Sequence, residues 1–277
     1  MTLALALVAA VGYGISDFLA GLSCRRAPVT QVTAAVQLAA LVPAVGIAVA
    51  SGTAPSWSVV GWGALAGGGV AIGSVALYLG LSRGRMSVVA PVSAVAGAAL
   101  PVLIGPLTGE RLYATAVVGI AVGIPAVLLV ATAPSGGGEP RPGGGPLRDL
   151  AFGVVGGLGF SVMYVGYGLA DETSAWPVAV SLLVSATAMA VIAVVATGRL
   201  TPAALRLPLV AGIVAGTSAL FFRSAASGGA LAVSSIVTSL YPGVTVLLAA
   251  LVLREPIGRL RACGLALTLV AVVLIGL

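Results

Sequence analysis

The sequence has no histidine and no lysine, and only 7% of its 277 residues are charged. Without histidine there are no His-based metal sites, no His general bases and no Ser–His or Cys–His dyads. The two cysteines, Cys24 and Cys263, are far apart and form no C-x-x-C pair, so no thiolate metal site or dithiol redox motif is encoded. They read as small residues near helix ends. No Gly-Lys-Ser/Thr ending occurs, so the glycine run at 66–69 is not a phosphate cradle. No metal, cofactor or enzymatic activity is expected.

Soluble domains carry about 25% charged residues. Here 60% of the chain is hydrophobic and mean hydropathy is +1.19. So little polar surface cannot hold the chain in water, and the expected class is an all-α integral membrane protein. All basic charge comes from arginine, 13 residues against seven acidic ones. A basic balance can signal nucleic acid. These arginines instead stand singly or in pairs at the ends of apolar runs, as in loops on one membrane face. The partner is the lipid bilayer, not nucleic acid.

A bilayer core about 30 Å thick needs about 20 apolar residues per helix. Cutting at charges, proline and glycine-rich punctuation gives ten spans. They are 3–23, 30–50, 58–81, 87–107, 113–132, 150–169, 175–197, 207–226, 230–252 and 258–277. The first lacks the basic n-region and the small-residue cleavage site of a signal peptide, so it reads as a retained helix. The run 21–24 faintly suggests a lipoprotein cleavage site, but the same missing n-region opposes it. Short connections predict that sequential helices are antiparallel neighbours.

One long stretch, 134–146, is neither apolar nor periodic; its glycine and proline suit a flexible tether. It divides the chain into a first half, 1–133, a linker, 134–149, and a second half, 150–277. At a shift of 145 residues Gly12 falls on Gly157, Gly14 on Gly159, Ser16 on Ser161, Gly67 on Gly212 and Glu110 on Glu255. Gly119, Ala121 and the Ala126–Val127 pair also find identical partners. The glutamates weigh most, because acidic residues are so few. The halves read as two copies of one five-helix unit. Five is odd, so the second copy enters the membrane from the opposite face, as an inverted repeat. The N-terminal face then receives only Arg111, and the opposite face receives eleven arginines, with Arg223 inside a span. The positive-inside rule puts the linker in the cytoplasm and both termini outside, in a multi-pass protein of the plasma (inner) membrane.

Ten spans, the duplication and the two glutamate-containing turns resemble the EamA-like branch of the drug/metabolite transporter superfamily. Leu240, Tyr241 and Pro242, followed thirteen residues later by Glu255, look like that family's late repeat motif. The first half keeps Glu110 but has Gly97 where the proline would stand. The segments 12–18 and 84–91 look like a subgroup common in bacteria. The resemblance covers the whole chain and implies a small-solute carrier, often an exporter of metabolites, amino acids or toxic compounds. It implies no substrate. Typical members place both termini in the cytoplasm, the reverse of this charge pattern.

A carrier needs polar groups inside an apolar bundle, and a charge at the bilayer centre costs at least about 2.5–3.5 kcal/mol. Asp17 lies fourteen residues after Leu3, roughly 21 Å from the first face at about 1.5 Å per residue. Tyr13, Ser16 and Asp17, at i, i+3 and i+4, share a helical face. Asp17 is the candidate for proton coupling or cation binding; alternatively it is solvated near the helix end or paired with Arg25 or Arg26. Arg223 either binds an anionic solute group or snorkels to the outer interface. The depths of Asp17 and Arg223 put them in opposite leaflets, so no salt bridge between them is expected. The remaining cavity candidates are Gln37, Ser74, Tyr78, Ser161, Tyr164, Ser235, Thr238 and Ser239. Singly, such hydroxyls more often bond their own backbone. Glu110 and Glu255, beside Arg111 and Arg254, read as boundary pairs with a gating alternative. The GxxxG spacings at 119–123 and 153–157 permit close helix approach.

Three functions fit these residues. The first is a gradient-driven secondary transporter of a small-molecule solute, with protons as candidate coupling ion. The second is a lipid-linked carrier flippase on the same scaffold. The third is a non-transporting interaction protein, whose polar residues would scatter. Intramembrane proteolysis lacks a second carboxylate.

Overall fold

The computed structural model of the protein describes residues 2–83, 86–109, 113–132, 145–170, 174–197, 206–227, 231–253 and 258–276. Among them there is no strand. The first half holds α1 (Thr2–Ser23), α2 (Val29–Ala50), α3 (Trp57–Arg83), α4 (Met86–Ile104) and α5 (Ala114–Thr132). A short 3-10 turn, Gly105–Thr108, follows α4. The second half holds α6 (Pro146–Leu169), α7 (Trp176–Thr197), α8 (Arg206–Ala226), α9 (Leu231–Thr238), α10 (Tyr241–Leu253) and α11 (Arg259–Gly276). Eight of the described stretches are long and apolar enough to cross a membrane. The chain is therefore an all-helical protein with the helices of a multi-pass membrane protein. The expected fifth and tenth spans correspond to α5 and α11, which pack on each other. The linker core, 134–144, and Glu110, Glu255, Arg111 and Arg254 lie outside the described residues.

The distribution of side chains reverses that of a water-soluble domain. Val42, Ile72 and Leu251 point outward, 67%, 61% and 68% exposed, whereas Asp17, Gln37 and a series of serines and threonines are buried. Lipid tails are as apolar as valine, so outward apolar residues cost nothing there. Helices associate instead through tight packing of small residues. The interior is accordingly rich in alanine, including Ala6, Ala9, Ala40, Ala44, Ala48 and Ala66.

Packing corrects one expectation. Sequential helices touch only lightly, and the extensive contacts run between the halves. α3 packs on α6, and α8 on α1; α2 packs on α8, and α7 on α3. α4 lies on α6, while α9 and α10 lie on α1; α2 meets α7, and α5 meets α11. Short connections fix the direction of neighbours but not their closeness. Closeness follows the small-residue faces, and these look toward the other half. The matched pair Gly67 and Gly212 illustrates this. A Cβ on Gly67 would stand 2.6 Å from the Ser181 carbonyl oxygen and 2.8 Å from Val184 Cβ on α7. A Cβ on Gly212 would meet the Val36 carbonyl oxygen and Ala39 on α2. Ser181 lies 145 residues after Val36, and Val184 the same distance after Ala39, as Gly212 does after Gly67. Gly212→Leu should therefore force α8 off α2, lowering stability by about 1–3 kcal/mol. A thermal melt of the purified variant indistinguishable from wild type would refute this close packing.

The ninth expected span, 230–252, is two helices. α9 ends at Thr238 and α10 begins at Tyr241, near the middle of the apolar stretch Leu231–Val252. Pro242 has no N–H to offer the Thr238 carbonyl four residues back, and its ring crowds that carbonyl. The chain crosses the gap on three-residue bonds, Leu240 N–H to Val237 O at 3.1 Å and Gly243 N–H to Leu240 O at 2.9 Å. Of the two cysteines, Cys263 is exposed and Cys24, just past α1, is partly buried. Burial pushes the Cys24 thiol up to about 12, which keeps it protonated and unreactive at neutral pH.

Candidate functional site

α1 presents Tyr13, Ser16 and Asp17 on the single face that their spacing predicts, and all three line an internal cavity of about 50 Å³. That is room for a few waters or a small solute in this conformation. α2 contributes Gln37, and α3 contributes Ser74 and Tyr78 at i, i+4. α6 contributes Phe160, Met163, Tyr164 and Tyr167, whose spacing follows one helical face. Leu182 of α7, Ala215 and Ala219 of α8, and Tyr241 at the start of α10 close the walls. Both halves of the chain therefore build the cavity, and the break in the ninth stretch opens onto it through Tyr241.

Asp17 is 7% exposed and forms no ion pair among the described residues, so neither Arg25 nor Arg26 neutralises it. Tyr13, Tyr78, Tyr164 and Tyr241 all lie within its electrostatic reach. Gln37 Nε2 donates to Ser74 Oγ at 3.0 Å, joining α2 to α3 across the wall. Tyr167 and Tyr241 turn their hydroxyls away from the cavity. Tyr167 Oη bonds Ser181 Oγ at 3.0 Å, and Tyr241 Oη bonds Ser93 Oγ at 2.9 Å. Tyr13 Oη is buried and has no hydrogen-bond partner among the described residues. Ser16 Oγ is buried in the same way, with the Tyr78 side chain beside it. An orphaned buried hydroxyl costs about 1–3 kcal/mol unless water or a ligand meets it. Both residues line the cavity, so a polar occupant that reached these hydroxyls would recover that cost.

Five expected residues lie elsewhere. Ser161, one position off the Phe160–Tyr164 face, accepts from the Leu100 N–H at 2.9 Å and ties α6 to α4. Ser235 donates to Ala232 O at 2.8 Å and Ser239 to Ser235 O at 2.7 Å, each satisfying its own helix. Thr238 Oγ1 reaches Ala6 O at 3.4 Å and so faces α1. Arg223 departs from both sequence-based readings. It is 3% exposed, so it does not snorkel, and it does not line the cavity. Its Nη1 donates to Tyr167 O at 2.6 Å and its Nη2 to Ala170 O at 3.1 Å. The guanidinium thus caps carbonyls at the C-terminal end of α6, where the helix dipole is negative.

Tyr167 and Tyr241 are the lining residues that sequence reasoning missed. Tyr167 could have been found, since it stands three residues after Tyr164 on the same face. Tyr241 belongs to the Leu240–Pro242 motif that carries the family resemblance, but nothing in its spacing links it to Asp17.

No family model and no curated protein matches the chain. The fold is known. A protein of known crystal structure superposes with a TM-score of 0.67, covering 96% of this chain and 95% of its own. The two are 18% identical, so the likeness concerns architecture alone.

Proposed function

We propose that the protein is a gradient-driven secondary transporter, an exporter of small solutes that works by alternating access. The observation that carries this reading is the polar cavity. Helices of both halves wall it, a buried carboxylate sits in it, and a broken helix borders it. Discontinuous helices beside a site between two repeats are the usual architecture of such carriers. Convergence of Tyr13, Ser16, Asp17, Gln37, Ser74, Tyr78 and Tyr164 on one space favours transport over a membrane interaction protein, in which polar residues would scatter.

The same reading takes the chain as ten spans in two inverted five-helix repeats of the EamA-like type. Support comes from the exchange of partners between the halves. The extensive packings of first-half helices on second-half helices have counterparts when the halves are swapped, α3 on α6 with α8 on α1, and α2 on α8 with α7 on α3. The Gly67 and Gly212 contacts repeat in register at the 145-residue shift. Two repeats packed in this way change access by rocking one against the other.

Purified protein in liposomes should move at least one small organic solute at a rate above protein-free vesicles. A broad solute panel with no protein-dependent flux would count against transport. In the inner membrane of a bacterial host, a C-terminal reporter active only outside the cytoplasm should give signal, as the arginine distribution requires. Signal from a cytoplasm-active reporter instead would reverse the orientation.

A further inference from the structure

The cavity's charge and hydrogen-bonding inventory narrows the solute class, granted that the cavity is the transport site. Asp17 is the one carboxylate among the described lining residues, and no arginine among them accompanies it. Arg223, buried on α8, aims both terminal nitrogens at backbone carbonyls at the end of α6. Carboxylate and phosphate solutes are recognised by guanidinium or ammonium groups, and the described lining residues supply none. The wall's donors are also partly used. The Gln37 amide N–H goes to Ser74, which leaves the amide oxygen as an acceptor. The Tyr167 and Tyr241 hydroxyls are tied back to Ser181 and Ser93, so these residues offer the cavity their rings. Phe160, Tyr164 and Met163 add further aromatic and polarisable surface.

We infer that the cavity selects small organic cations, an ammonium group held by Asp17 and by the surrounding aromatic rings, with an apolar body against Phe160 and Met163. A single carboxylate inside an aromatic wall is the chemistry that recognises quaternary and substituted ammonium ions. A zwitterionic amino acid fits less well, because its own carboxylate would enter beside Asp17 with no arginine to meet it. An anionic solute fits least.

The test uses the full chain in lipid nanodiscs and two probes of the same shape. Choline carries a charged nitrogen where 3,3-dimethyl-1-butanol carries a neutral carbon. Choline should bind at least tenfold more tightly, and Asp17→Asn should erase that preference. Tyr241→Leu should weaken choline at least fivefold, whereas Tyr241→Phe, which keeps the ring, should stay within twofold of wild type. Equal affinity for the two probes, tighter binding of the neutral one, or tighter binding of 3,3-dimethylbutyrate would overturn cation selectivity. Should Asp17→Asn fail to fold, the wild-type ratio and the Tyr241 pair still decide. Liposomes separate this inference from the transport reading. Flux of a neutral or anionic solute without choline binding overturns the cation inference and leaves transport standing. The tenfold choline preference without flux of any solute supports the cation site and overturns transport.

Discussion

Asp17→Asn should reduce solute accumulation driven by a pH gradient at least tenfold in liposomes, while the purified variant melts within a few degrees of wild type. Asparagine keeps the shape of the side chain and cannot carry a proton. Asp17 is buried, has no ion pair among the described residues, and is the only carboxylate among the described lining residues. If a proton crosses with each cycle, this group is where the structure offers to hold it. A charge kept deep in an apolar bundle costs at least about 2.5–3.5 kcal/mol, and a merely structural role would not repay that cost without a counter-charge. Asp17→Glu should retain part of the gradient-driven uptake, because the ionisable group survives one methylene away. Wild-type accumulation by Asp17→Asn would remove Asp17 from the coupling step.

The arrangement around Asp17 shows what a sequence can and cannot reveal about such a site. Helix positions were legible because about 20 apolar residues in a row have few alternatives to a span. Faces were legible on α1 and α3. Tyr13, Ser16 and Asp17, and likewise Ser74 and Tyr78, stay together because 3.6-residue periodicity holds through α1 and α3. Reading failed where periodicity was interrupted or the direction of a face was unknown. Thr238 and Ser239 sit at the gap before Pro242, so their phase relative to Tyr241 is reset by the break. Ser161 differs from Phe160 by one residue, and one residue turns the side chain by roughly 100° around the axis, from the cavity to α4. Tyr167 and Tyr241 are not legible as lining residues because most of their surface is apolar, and burial hides which hydroxyls are spent on serines. Packing between halves was hidden for another reason. Loop length constrains sequential helices, but small-residue contacts at long range leave only a composition signal, and this chain has 39 glycines.

Packing within the second half fixes the α6 side of the cavity. Tyr164 and Tyr167 reach the cavity from the last turns of α6, and Phe222 of α8 stacks against both, with ring centroids 4.5 and 6.4 Å apart. Arg223, the next residue on α8, bonds the carbonyls of Tyr167 and Ala170. One turn of α8 therefore fixes both the rings and the backbone that carries them, and α8 is itself clamped to α1 and α2.

Arg223 was a candidate ligand for the solute, and its geometry leads to a different expectation. Replacing it with methionine should lower the melting temperature by on the order of 10 °C, from the loss of two charge-assisted hydrogen bonds worth about 1.5–3 kcal/mol each. The carbonyls of Tyr167 and Ala170 would be left among apolar side chains without their present donors. Arg223→Lys should recover less than half of the loss. An ammonium is a single point donor, whereas the guanidinium presents two nitrogens in a fixed fork to two separate oxygens. Solute affinity of the folded fraction should change by less than threefold in either variant, since Arg223 does not line the cavity. A variant that melts within 2 °C of wild type but binds solute tenfold more weakly would return Arg223 to the binding site. Stability loss at unchanged affinity instead makes it the clasp between α8 and the end of α6.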